Sequence, residues 1–188
     1  MRNFAHLTQW QTTGAGVKRT YLGGLDMRAF EYRQAEEIRE ALKRHGVRYL
    51  FIGKSGAILL GFPDTTQDAD LFVERSSDNG RALVTALREL GFDLSDLQAR
   101  EIEHGKDFVQ LKNGPFDLDL VFAPDGIETF EDAWNRRVDV EDFPVCHIDD
   151  IIASKEAANR ERDRESLPRL RAFRDYWIQQ KESTPSQG

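Results

Sequence analysis

Along this chain the spacing of hydrophobic and polar residues changes period several times, and each change marks an element. Ala35, Ile38 and Leu42 recur at helical spacing among charged residues, which predicts a helix over 28–45. Gly46 ends it, and Val47-Arg-Tyr-Leu-Phe-Ile52 reads as a buried strand. A short helix follows over 55–60 and stops at Gly61-Phe-Pro63, and Asp68 to Val73 forms the next strand. Ser77 is placed as the N-cap of a helix that carries Leu83, Val84, Leu87 and Leu90 and closes at Gly91. Residues 92–105 have no decisive period.

Beyond them, Asn113-Gly114 separates two strand-like runs over 107–111 and 116–122, a strong hairpin signal. In the second run Phe116, Leu118, Leu120 and Phe122 share one face, while Asp117, Asp119 and Val121 share the other. A helix is expected near 128–136, a short strand near 143–146, and two closing helices over 148–160 and 166–180. The expected fold class is α/β (α+β): a mixed β-sheet flanked by helices, with a helical C-terminal part. Its divisions are an N-terminal arm over 1–25, a main domain over 26–147, packed helices over 148–180, and a disordered polar tail over 181–188.

Composition narrows the function classes. The chain has 188 residues, 39% hydrophobic and 31% charged, which suits one soluble domain with a real core. A net charge of −7 advertises no broad electrostatic grip on nucleic acid. The single cysteine, Cys146, excludes an internal disulfide and a cysteine-rich zinc site. His6, His45, His104 and His147 show no metal-ligand spacing. No apolar run approaches the roughly 20 residues that span a bilayer, and Met1 to His6 lacks a secretion signal's apolar segment. A cytoplasmic protein without membrane partners is expected.

The candidate chemistry lies between Phe51 and Val73. A strand enters the turn Gly53-Lys54-Ser55-Gly56, and a carboxylate pair, Asp68 and Asp70, opens the next strand. Residues two apart on a strand project from one face, about 7 Å apart, so these carboxylates could share divalent cations. Small residues in the turn could offer backbone N–H groups to phosphate oxygens. A P-loop is excluded, because the glycine it requires five residues before Gly53 is Arg48. Taken alone, an Asp-x-Asp pair is equally the polar face of a solvated strand. Acids on a second strand, Asp117 or Asp119, change that weighing, since concentrated negative charge calls for a cation. Lys155 falls by spacing within the apolar stripe Ile148, Ile151, Ile152 and Ala158, where it either snorkels to solvent or meets an anion.

These motifs resemble the polymerase-β-type nucleotidyltransferase superfamily, and in detail its minimal members related to abortive-infection toxins of toxin–antitoxin systems. Gly53 through Gly61, Pro63, Thr66, Asp68 and Asp70 match the first motif in order and spacing. The strand over 116–122 resembles the one bearing the third carboxylate. Ile151-Ile-Ala-Ser-Lys155 through Arg160-Glu-Arg-Asp163 resembles the lysine-bearing helix and its Arg-x-x-Asp extension. The resemblance implies nucleotidyl transfer from a nucleoside triphosphate (NTP) to a hydroxyl of tRNA, protein or a small molecule. It further implies that Asp68, Asp70 and Asp119 are catalytic and hold two Mg²⁺ ions, and that Gly53, Lys54, Ser55 and Lys155 bind the nucleotide.

An antitoxin partner is implied by the same resemblance. Arginines 160, 162, 164, 169, 171 and 174 form either a basic face for tRNA or a solvated face paired with neighbouring acids. Two positions depart from the pattern: Lys54, where the family has Gly or Ser, and Asp64, where many relatives carry Arg. The alternative classes are an inactive nucleotide- or partner-binding module and another metal-dependent phosphoester enzyme.

Overall fold

The computed structural model describes residues 9–13, 16–20 and 31–183. Strands β1 (Gln9–Thr13) and β2 (Gly16–Thr20) pair antiparallel within the expected N-terminal arm. The rest of that arm, residues 28–30 of the first expected helix, and residues 184–188 lie outside the described residues.

Helix α1 (Tyr32–Arg44) starts where Glu31 and Gln34 form a capping box, and it buries Ala35, Ile38, Ala41 and Leu42. Then follow β3 (Tyr49–Phe51), α2 (Gly53–Leu59) and β4 (Asp68–Val73). Helix α3 (Ser77–Glu89) is capped by Ser76, whose hydroxyl accepts from the Asn79 N–H. The cap is thus one residue earlier than the sequence suggests, and Ser77 is already helical. The undecided stretch 92–105 contains α4 (Asp96–Glu103), opened by a Ser95–Gln98 capping box.

The hairpin strands are β5 (Phe108–Leu111) and β6 (Asp117–Val121), followed by α5 (Phe130–Arg136). Strand β7 (Val138–Val140) had no sequence signal beyond three residues, and it pairs with β8 (Phe143–Val145) across a turn at Glu141 and Asp142. Helix α6 (Ile148–Ala158) ends at Asn159 in the left-handed region, and α7 (Glu161–Ser183) begins two residues on. Helix α7 is longer at both ends than expected. It carries Pro168 in its interior rather than near its start, and it continues three residues into the expected tail.

The main sheet has six strands in the order β5-β6-β4-β3-β8-β7. Pairs β4–β6 and β3–β8 are parallel, and the other neighbours are antiparallel, so the sheet is mixed as expected. One face is apolar: Ala69, Leu71, Val73, Leu118 and Leu120 are all fully buried there. Helix α1 covers it, with Tyr32 meeting Phe143 edge-to-face at 5.3 Å and Phe143 meeting Phe51 at 5.8 Å. On the opposite face Phe72 packs against Phe130 of α5 at 5.1 Å. Asp68, Asp70 and Asp119 share that second face by strand alternation. Helix α6 packs against α2 and α7 and so reaches the same side of the molecule. Among the described residues no helix is long and apolar enough to cross a membrane.

Candidate active site

Strand register assembles the acids. In the parallel β4–β6 pair, Asp68 stands opposite Asp117 and Asp70 opposite Asp119. The residues alone left Asp117 and Asp119 open, and the cluster forms with Asp119. One carboxylate oxygen from each of Asp68, Asp70 and Asp119 lies within 4.8 Å of the others, the spacing of a shared cation site. Two of the acids are held by neighbouring side chains. Thr66 Oγ1 donates to Asp68 Oδ1 at 2.7 Å, and Gln110 Nε2 donates to Asp119 Oδ1 at 3.0 Å. Gln110 lies directly opposite Asp119 in the β5–β6 register.

The turn after β3 is shaped around Asp70. Gly53 has φ +63°, and a Cβ added to it would lie 2.5 Å from Asp70 Oδ2. Glycine therefore lets the backbone bend left-handed and lets the carboxylate lie against it. Ser55 is fully buried. Its hydroxyl donates to the Ile52 carbonyl at 3.1 Å and accepts from the Asp70 N–H at 2.9 Å, fastening the turn to β4. Gly53 and Lys54 line the cavity in front of the acids. Lys54 Nζ is 4.0 Å from Asp64 Oδ2, so the two positions that depart from the family pattern face each other.

Burial pushes the Asp70 carboxyl up to about 7, reinforced by the charges of Asp68 and Asp119 and opposed by Lys155 and the Ser55 backbone N–H. Asp119 is also raised, first by burial and then by Asp68, against the Gln110 hydrogen bond, Lys112 and Arg162. A cluster that resists full ionisation on its own is chemically suited to a divalent cation, which would favour all three charges. Oxygen-only donors fit Mg²⁺.

Lys155 is not a snorkelling surface residue. Its Nζ donates to Asp163 Oδ1 at 3.1 Å, and its charge is felt at Asp70. Asp163 is 4% exposed, and its Oδ2 has no hydrogen-bond partner among the described residues. Both residues line the same cavity, of about 1470 Å³, with Lys54, Lys112, Arg160 and Arg162 also around it. Single small-molecule pockets run to roughly 1,000 Å³, so this one has room for two reactants side by side.

The six C-terminal arginines do not form one basic face. Arg160 and Arg162 line the cavity. Arg164 donates to the Asn159 carbonyl, Arg169 pairs with Asp64, Arg171 with Glu156, and Arg174 with Asp175 and Asp149. Gln110 and Lys112 were not singled out by sequence, and Arg162 was named only among the six arginines. The β5–β6 register places Gln110 opposite Asp119, whereas a two-residue turn at Asn113-Gly114 would set Gln110 opposite Asp117, so the hairpin signal alone does not find these partners.

No protein-family model and no curated protein sequence matches the chain. Among solved structures, the lincomycin-bound crystal structure of the lincosamide antibiotic adenylyltransferase LnuA superposes on it with a TM-score of 0.55. The match covers 75% of this chain and 96% of that one at 14% identity. The fold is nucleotidyltransferase-like. At this identity the likeness concerns the fold: a mixed sheet with helices on both faces.

Proposed function

We propose that this chain is a Mg²⁺-dependent nucleotidyltransferase that moves a nucleotidyl group from an NTP to an acceptor hydroxyl. The observation that carries the reading is the convergence of Asp68, Asp70 and Asp119 on one point beside Gly53. These three residues would hold Mg²⁺, which supplies charge neutralisation and Lewis acidity for the triphosphate when bound. Lys155 and Arg162 place positive charge on the cavity wall, where the triphosphate's negative charge would lie. Thr66, Ser55 and Gln110 fix the acids, so little reorganisation is needed at the moment of reaction.

In the reaction the acceptor oxygen bonds to the α-phosphorus while the bond to pyrophosphate breaks in line. The hydroxyl proton passes to Asp119 Oδ2, because Oδ1 is engaged by Gln110. A small-molecule acceptor is favoured over tRNA. The cavity has room for two small reactants, four of the six arginines are engaged within the chain, and LnuA is itself an antibiotic adenylyltransferase.

The test incubates the protein with Mg²⁺ and each α-labelled NTP, with hydroxylated small molecules and tRNA as acceptors in parallel. Label transfer that disappears in Asp70→Asn is the expected result. Nucleotide binding without transfer to any acceptor would replace this reading with that of a nucleotide-binding module.

A further inference from the structure

Lys54 has a cationic head that the fold does not use up. It projects from the first turn of α2 to the cavity wall with its side chain 39% exposed. Its anionic neighbour is Asp64, at 4.0 Å, beyond hydrogen-bond range. Asp64 is already well served by others. Its Oδ2 accepts from Arg169 Nη1 at 3.2 Å and its Oδ1 from the Thr65 N–H at 2.8 Å. Arg169 is anchored independently, donating to the Pro63 carbonyl at 2.9 Å and lying over the Phe62 ring at 5.2 Å. Asp64 is therefore held on α7's side and keeps its partners if Lys54 leaves. Among the described residues, Asp64 is the one carboxylate within 4.0 Å of the Lys54 ammonium.

Resting on the nucleotidyltransferase reading, we propose that Lys54 is a triphosphate-binding residue and that Asp64 is its built-in competitor. In the empty site Asp64 draws the ammonium aside. An arriving triphosphate, with several charges against one, takes Lys54 over, and Asp64 stays with Arg169. The pair makes the site selective for the length of the phosphate chain. A nucleoside monophosphate offers too little charge to win Lys54, whereas a triphosphate does.

The experiment measures dissociation constants by isothermal calorimetry for the α,β-methylene analogues of ATP, GTP, CTP and UTP with Mg²⁺. The best-bound base is then carried through as the triphosphate analogue and the monophosphate. The proteins are the wild type, Lys54→Met, Lys54→Arg and Asp64→Asn. The asparagine removes the charge and keeps one acceptor, for the Thr65 N–H, while Arg169 retains the Pro63 carbonyl and the Phe62 ring. Lys54→Met should weaken the triphosphate analogue about ten- to a hundredfold, as expected for losing one charge-assisted contact, and leave the monophosphate unchanged. Lys54→Arg should recover most of the loss. Asp64→Asn should tighten the triphosphate analogue several-fold.

An unchanged triphosphate affinity in Lys54→Met overturns the proposal. So does an equal loss for both nucleotides, which would mean a structural role. A weaker triphosphate affinity in Asp64→Asn overturns the competitor role, since a merely structural Asp64 would give a loss instead of a gain. A wild type that binds none of the nucleotides is a distinct outcome, because it sinks the nucleotidyltransferase reading itself and this proposal with it.

Discussion

Gly53 and Asp70 occupy adjoining space so closely that a side chain at position 53 would have to displace the carboxylate: an added Cβ would lie 2.5 Å from Asp70 Oδ2. The positive φ there adds a second demand for glycine. Gly53→Ala is expected to strain the turn by roughly 1–3 kcal/mol and push the Asp70 carboxylate out of place. Thermal melts with and without Mg²⁺ check this. The variant should melt lower and lose the metal-induced rise in Tm, and a wild-type metal response would refute the geometric argument.

Asp70→Asn removes a like charge from the centre of the acid cluster while keeping its shape. Metal-free protein at pH 8 should become more stable, by roughly 2–4 °C in Tm for each kcal/mol relieved in a chain of this size. Nucleotidyl transfer should fall to background. A variant that is both less stable and inactive would mean the carboxylate is held by more than its neighbours' N–H groups.

The raised Asp70 carboxyl fixes the sign of a pH dependence. Its folded value is about 7 and its ordinary value 3.8, so between these limits the native state holds a proton that the unfolded chain has released. Metal-free stability should therefore decline as pH rises from about 4 to about 7 on account of this group. Added Mg²⁺ should oppose the decline, and its stabilising effect should grow with pH. Denaturant melts at stepped pH, with Mg²⁺ or with a chelator, would reveal a wrong sign directly.

Gln110 acts through Asp119. Its amide donates to Asp119 Oδ1 and favours the ionised form. Gln110→Leu should leave the core intact, because the residue is exposed on the edge strand, and should raise the Asp119 carboxyl further. Mg²⁺ affinity should drop about ten- to a hundredfold, the usual effect of removing a partner that orients a ligand. The pH at which Mg²⁺ binding reaches half its plateau should also shift upward, a change that mere loss of stability would not produce.

Lys155 and Asp163 form a pair that is 16% and 5% exposed at the side chains. Removing only the lysine leaves a buried carboxylate uncompensated, so Lys155→Met should destabilise the fold by about 3–5 kcal/mol. The double variant Lys155→Met/Asp163→Leu should recover most of that stability and none of the transfer activity. Recovered activity in the double variant would show that Lys155 serves the fold alone.

Much of this arrangement was legible in the chain because its signals are local. The buried run ending at Ile52, the glycine turn and the alternation in 116–122 are each set by a few consecutive residues, and the strands formed where those patterns lie. What was not legible depends on partners distant in sequence. Strand β7 is three residues long and owes its existence to pairing with β8. The start of α7 is set by Asn159 turning left-handed after α6, which overrides the preference for Pro168 in a first turn. The same holds at the site. Asp68 and Asp70 follow from one strand, whereas the residues alone left Asp117 and Asp119 open, the resemblance favoured Asp119, and the carboxylate spacing puts Asp119 with the pair. Lys155's partner, eight residues on, required the angle between α6 and α7.

That register ties activity to correct assembly. Sliding β6 by one residue against β4 would turn Asp119 toward the apolar face and bring Leu118 or Leu120 into the acid cluster. The same slip would expose the fully buried leucines that hold the sheet to its helices. A molecule with this error would thus lose its core and its acid cluster in one event. Specific activity in a preparation of this protein should accordingly report the fraction of chains whose central strands have paired correctly.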